Sequence, residues 1–290
     1  MIKSIFKRQN DEDVLELLYA QRVCYDRAEV YNRIGWAMTW LLLLQEIGSY
    51  IIPIIGKYSL TICAIAAIII YFVDWRRTVY IEKGAQFKNL IDCILFEFPI
   101  DRAMKEKLID YALELKSKNE EKYKQQISHN GDDNIKGVKD WYTMYSSENL
   151  DEIILNCQKQ NLWWNQELVK YYKKTLLACL AILVSITIIS VCITKITPSI
   201  LLALMILITT ILIRCCDALK TMGAYTKSMI RAHGKLDVIE GHLDKVALLS
   251  LQEEIDAVRT SGFLIPNWVH AMYSIKLHKK RKELNNRINQ

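Results

Sequence analysis

No glycine-rich phosphate loop of the GxxxxGK[ST] or GxGxxG kind occurs in these 290 residues, and neither HExxH nor GxSxG is present. Those absences remove the common nucleotide-hydrolysing, dinucleotide-binding, zinc-peptidase and serine-hydrolase readings. The eight cysteines include no CxxC pair, so no zinc ribbon or disulfide framework is expected. Five histidines (His129, His233, His242, His270, His278) share no ligand spacing and are expected at the surface. Alternating β-branched runs bounded by turns are missing outside the most apolar segments, which leaves an all-α fold. A net charge of +6 is too small to argue for a DNA or RNA polymer. No catalytic residue, metal or cofactor is expected, and the chain is not read as an enzyme.

Long apolar runs are what the chain has instead. They cover about 34–55, 58–73, 175–194 and 198–213. A bilayer core of about 30 Å needs roughly 20 helical residues, with about 17 as a lower limit. The second and fourth runs are short by that measure and draw length from their flanks. All four are apolar on every side, unlike the amphipathic helices of a soluble core. The connectors are Gly56–Lys57 and 195–197, too short for a domain, so the runs pair as two transmembrane hairpins.

Charge sets the orientation. Of 38 Lys and Arg residues, six lie in 1–33, 17 in 74–174 and 13 in 214–290, leaving Lys57 and Lys195 alone in the connectors. The positive-inside bias then puts both termini in the cytoplasm. Arg33, Arg76, Arg77, Lys173, Lys174 and Arg214 flank the runs, with Trp36, Trp40, Trp75, Tyr80, Trp163, Trp164, Tyr171 and Tyr172 as an interfacial aromatic belt. No short apolar leader with a small-residue cleavage site precedes the first run. The expected organisation is a cytoplasmic N-terminal helix (1–33), hairpin 1 (34–73), a cytoplasmic helical region (74–174), hairpin 2 (175–216) and a cytoplasmic C-terminal helical region (217–290).

Within the soluble parts, a helix over about 76–98 is stopped by Pro99, and a second is expected over 101–127. The run 128–137 is a loop, and 217–258 reads as one long, kinked helix. A turn at 262–269 leads into a basic C-terminal helix. Its cations either meet anionic lipid head groups or face solvent.

Two constellations stand out. Gln45 and Glu46 lie inside the first run, where a carboxylate is costly unless neutral, paired or hydrated. They mark a pore or relay, or else Gly48 and Pro53 break the helix and leave Glu46 near the outer interface. The segment 138–172 crowds aromatics, amides and cations: Lys139, Asp140, Trp141, Tyr142, Gln158, Asn161, Trp163, Trp164 and Lys170. Aromatic faces beside cations suit a stacked nucleobase with its phosphate. Ordinary helix packing at a membrane interface gives the same composition.

The order of several motifs resembles the SMODS-associated four-transmembrane effector family. They are AQRVCYDRAEVYN (20–32), GAQFKNLIDCILFEFPI (84–100), VKDWY (138–142), NCQKQNLWWNQELVKYY (156–172) and LQEEIDAVRTSGFLIPNWV (251–269). The chain departs from the family pattern at Asn165, where Asp is expected, and at His270, where an aromatic follows Pro-x-Trp. The resemblance implies a CBASS-type anti-phage effector in the bacterial inner membrane. Such a protein binds a cyclic di- or oligonucleotide on its cytoplasmic helices and permeabilises the bilayer, causing growth arrest or death. Lys139, Asp140, Trp141, Tyr142, Gln158, Asn161, Trp164 and Arg259, taken from the matched segments, are the expected ligand contacts. Four short helices do not enclose a wide pore, so a homo-oligomer is expected. The rival reading is a constitutive membrane scaffold or small ion-conducting protein with no nucleotide ligand.

Overall fold

The computed structural model describes residues 5–193 and 198–288, except 132, 134, 146, 240 and 242. Its described elements are helical: α1 (Ile5–Arg8), α2 (Glu12–Ile51), α3 (Pro53–Phe96), α4 (Arg102–Lys118), α5 (Glu120–Ser128), α6 (Leu150–Ile193), α7 (Pro198–Ile239), α8 (Lys245–Arg259) and α9 (Asn267–Ile288). A lone bridge between Asn130 and Lys139 is the extended pairing among the described residues.

Three breaks differ from the sequence expectation, each for a local reason. The first connector falls at Ile52, because Pro53 opens α3 where a missing N–H costs nothing, and Gly56 and Lys57 lie inside that helix. The expected helix over 101–127 divides at Asn119, whose side chain accepts from the Lys122 N–H and caps α5. The long C-terminal helix ends at Ile239, and Asp244 caps α8 by accepting from the Ala247 N–H at 2.7 Å. The end of α3 matches the expected stop. Glu97 takes a left-handed φ of 58°, and the Phe98 N–H bonds the Cys93 carbonyl at 3.0 Å before Pro99. That is a Schellman-type end with glutamate where glycine is usual.

The chain forms two compact units. The first comprises Met1–Ala28, Thr78–Asn165 and Tyr225–Phe263, and the second Glu29–Arg77, Gln166–Ala224 and Leu264–Gln290. In the first, apolar side chains point inward. Val14, Leu18, Tyr19, Ile81, Phe87, Ile91, Leu115, Ile154, Leu162, Leu251 and Ile255 are all at most 2% exposed. Fully burying such a side chain contributes about 1.5–3 kcal/mol. Gly84 lets α3 approach α2, since a Cβ there would meet the Tyr25 ring at 2.9 Å. In the 128–137 loop, a Cβ on Gly137 would fall 1.7 Å from the His129 carbonyl oxygen, so only glycine fits.

In the second unit many large apolar side chains face outward, among them Leu60, Ile65 and Tyr71. Among the described residues, Ile54–Phe96 is long and apolar enough to cross a membrane, with mean hydropathy 1.9 and only 6% burial in its most apolar window. At the edge of that window Arg214 pairs with Asp74 at 2.6 Å, and Asp74 also pairs with Arg77. The guanidinium of Arg214 lies so close to Gly35 that any Cβ there would collide with it. The Arg214 guanidinium also lies 5.8 Å from the Trp36 ring centroid, a cation resting on an interfacial aromatic. Gln45 donates to Ser59 Oγ at 2.7 Å and accepts from Cys63 Sγ at 3.4 Å, so its amide is satisfied between α2 and α3. The Glu46 side chain lies outside the described residues.

Candidate functional site

The first unit is centred on a carboxylate. Asp92 of α3 has no exposed surface, and Lys88, one helical turn earlier on the same face, reaches its Oδ1 at 3.2 Å. Arg259, in the last turn of α8, donates to Asp92 Oδ2 at 2.7 Å and to Asp256 Oδ1 at 3.1 Å. The Tyr142 hydroxyl donates to Asp92 Oδ1 at 2.6 Å, while accepting from Asn161 Nδ2 at 2.8 Å and Lys88 Nζ at 3.3 Å. Gln252 donates to Asp92 Oδ2 and Asp256 Oδ1, and Gln158 donates to Gln252 Oε1 and the Leu248 carbonyl. Three chain segments therefore meet on one buried anion, and α6 joins them through Tyr142 and Gln252.

The segment carrying Tyr142 is fixed from its backbone. The Tyr142 N–H donates to Gln9 Oε1 at 2.7 Å, and Gln9 Nε2 donates back to the Tyr142 carbonyl at 3.3 Å. Asn10 makes the same two-way clamp with Asp140, through the Asp140 N–H at 3.1 Å and its carboxylate at 2.8 Å. Asp140 is held at φ 52°, a conformation these paired bonds stabilise.

The electrostatics follow from burial set against charge. Burial alone would push the Asp92 carboxyl up, but Arg259 and Lys88 outweigh it and hold the group below the usual carboxylate range. Burial brings Lys88 down to about 8 despite Asp92. Asp256 is pushed up to about 6 by burial, which the nearby Arg259 does not fully offset. Arg259 is raised above its ordinary value, since Asp92 and Asp256 exceed the cost of burying it. At neutral pH the centre holds two cations and two carboxylates, a balance that lets buried charges persist.

Of the eight candidate ligand residues, Tyr142, Gln158, Asn161 and Arg259 converge on this cluster, directly or through Gln252. Trp141 stands beside it: its ring is 42% exposed, and the buried Lys88 ammonium sits 4.5 Å from the ring centroid. Asp140 is exposed on the Asn10 clamp, and Lys139 is half-buried with its N–H on the His129 carbonyl. Trp164 is half-buried farther along α6, 6.2 Å from the Trp163 ring. Sequence reasoning missed Lys88, Asp92, Gln252, Asp256 and Gln9. A signal existed in the i, i+4 Lys–Asp pair inside the apolar KNLIDCILF and the i, i+3 Asp–Arg pair of IDAVR.

A cavity of about 290 Å³ in the first unit lies elsewhere, among Arg8, Glu16, Ile94, Glu97, Phe98 and Lys105. None of the eight candidates lines it. Among the described residues, no group of three or more His, Cys, Asp or Glu could hold a metal ion. The Gln158 carboxamide oxygen is buried without a hydrogen-bond partner, which leaves one acceptor inside the cluster unsatisfied.

The profile of the SMODS-associating 4TM effector domain matches residues 3–290. A protein of Bacillus cereus (strain VD146) described as "Probable CBASS effector molecule" is 24% identical over 313 aligned positions, covering 98% of each chain. No solved structure matches.

Proposed function

The chain belongs to the family of SMODS-associating 4TM effectors, and from that premise we propose that it is a bacterial inner-membrane CBASS effector gated by a cyclic di- or oligonucleotide. The family match across nearly the whole chain is the observation that carries this reading. The relative from Bacillus cereus, similar end to end, supports it. The first unit is the cytoplasmic sensor and the second holds four spans in two hairpins, with both termini cytoplasmic. Supporting the first hairpin, Gln45 meets Ser59 and Asn32 meets Arg77, so positions rise along α2 as they fall along α3.

The nucleotide stacks on the open face of Trp141, where the Lys88 ammonium behind the ring deepens the attraction for a phosphate-bearing ligand. Next to it, Tyr142 leads to Asp92 and Arg259. A ligand that pulls Trp141 or Lys88 therefore perturbs the one carboxylate on which α3, Tyr142 and α8 converge. Helices α2, α3, α6 and α7 supply residues to both units, so a change of helix position at the sensor is carried into the spans. Gating follows only if the ligand binds the open arrangement more tightly than the closed one. Several protomers assemble to line the lesion.

The test is leakage from liposomes holding the full chain, with a panel of cyclic di- and trinucleotides added. One active member is expected, and Trp141→Ala should abolish the response while membrane insertion is unchanged. Silence across the panel with folded, inserted protein would favour a constitutive scaffold or ion-conducting protein.

A further inference from the structure

The C-terminal helix α9 has a buried face and a largely exposed one. Val269 and Leu277 are fully buried, Tyr273 stacks on Tyr171 with ring centroids 4.1 Å apart, and Lys280 pairs with Glu167 at 2.8 Å. These positions form an inward stripe against α6. On another side of the helix, Trp268, Met272 and Ile275 are 42%, 63% and 79% exposed, and Lys279 continues their three- and four-residue spacing. An exposed apolar stripe of this kind on a packed helix calls for a partner.

Two observations say what the partner is. The Tyr171 and Tyr172 rings that hold Tyr273 and Trp268 lie within one turn of Thr175, where the apolar stretch of α6 begins. A turn of helix rises about 5.4 Å, so α9 is anchored at head-group depth if α6 spans the bilayer there. The helix also carries six cations (Lys276, Lys279, Lys280, Arg281, Lys282 and Arg287) against the single Glu283. That charge repels a second copy of the same stripe and attracts an anionic leaflet.

We propose that α9 lies in the plane of the cytoplasmic leaflet, with Trp268, Met272 and Ile275 in the acyl boundary and Lys276 and Lys279 on anionic lipid phosphates. Trp268, Met272, Ile275, Lys276 and Lys279 share one exposed side of the helix, which sets apolar and cationic side chains together toward a lipid surface. The inference rests on the membrane reading above and adds a lipid-dependent contact to it. Through Tyr171, Tyr172 and Glu167 the leaflet then bears on the cytoplasmic end of α6, so anionic lipid content tunes the spans.

The test uses the full chain in vesicles of phosphatidylcholine, with and without phosphatidylglycerol, carrying brominated acyl chains that quench tryptophan. Emission lost on Trp268→Phe isolates the Trp268 contribution. That contribution should be quenched, more strongly with phosphatidylglycerol. Lys276→Gln with Lys279→Gln should weaken the anionic-lipid preference roughly tenfold while the chain still floats with the vesicles. If the protein floats but Trp268 is unquenched in both lipids, the in-plane helix is wrong and the membrane reading stands. If the protein does not float, both fall. Disulfides between copies of Met272→Cys, above the wild-type background, would show a second chain on the stripe and also overturn the proposal.

Discussion

In α3, Leu60 is 86% exposed and Tyr71 71%, while Ile81, Phe87 and Ile91, on the same helix, have no exposed surface. The contrast extends to the two units. In the first, apolar residues are inside, with a charged cluster buried among them on Asp92. In the second, many large apolar residues face out, and ion pairs such as Arg214–Asp74 lie at the edge of the apolar segment. On the proposed membrane reading, one unit is organised for water around it and the other for hydrocarbon. The hydrophobic effect drives burial only where water is the alternative. Where the surroundings are as apolar as the side chain, packing and polar pairing hold helices together instead.

The largest test of this contrast is Asp92→Ala. It leaves Arg259 and Lys88 buried without their shared anion, at a cost of about 3–5 kcal/mol. Hydrogen exchange on the full chain in detergent should show protection lost across 81–96, 154–162 and 248–259 and retained at 54–72. Equal loss in both stretches would erase the distinction between the units.

Ile65→Lys probes the other side. Ile65 is 54% exposed, and in water such a change is mild. In a bilayer a lysine near mid-span costs about 2.5–3.5 kcal/mol. Carbonate-resistant membrane association of the full chain should fall severalfold, with the first unit's exchange protection unaltered. Unchanged association would mean the exposed face of α3 does not meet lipid.

The smallest effect is a pH dependence read in the first unit. Because burial raises Asp256 to about 6, its protonated form is favoured in the folded state. Its contribution to stability is full below the unfolded carboxyl pKa of about 4 and disappears as pH rises through about 6. Lowering pH from 7 to 5 should therefore stabilise this unit by about 1 kcal/mol, visible as slower exchange around α8. Asp92 stays ionised throughout, its pKa held low by Arg259 and Lys88. Asp256→Asn keeps the acceptor for Gln252 and Arg259 and should flatten the slope. A slope unchanged in that variant would assign the dependence to another group.

The sequence foreshadowed the all-helical class, the stop at Pro99, the loop over 128–137 and the family, because periodicity, breakers and motif order are local properties. It also picked Tyr142, Gln158, Asn161 and Arg259 from three stretches of chain. It took the residues of 138–172 to be open ligand contacts, whereas most of those in the cluster are buried on one another. It passed over Asp92, since a single carboxylate in an apolar helix looks no different whether it faces solvent or the centre of a unit. The breaks at Asn119 and after Ile239 were equally hidden, because the caps at Asn119 and Asp244 are bonds more than composition. The break at Ile52, by contrast, is the Pro53 break that the sequence offered as one of two readings.

What the chain determined by itself is its helices, its long apolar runs and its charge asymmetry, all fixed by residue type and spacing along one strand of peptide. What only the tertiary structure decided is which polar side chains are drawn inward. Lys88, Asp92, Tyr142, Asn161 and Arg259 are up to 171 positions apart in sequence, and only folding brings them within 3.3 Å of one another through Asp92 and Tyr142. Buried charges persist only when every partner arrives together, and that condition is a property of the assembled unit.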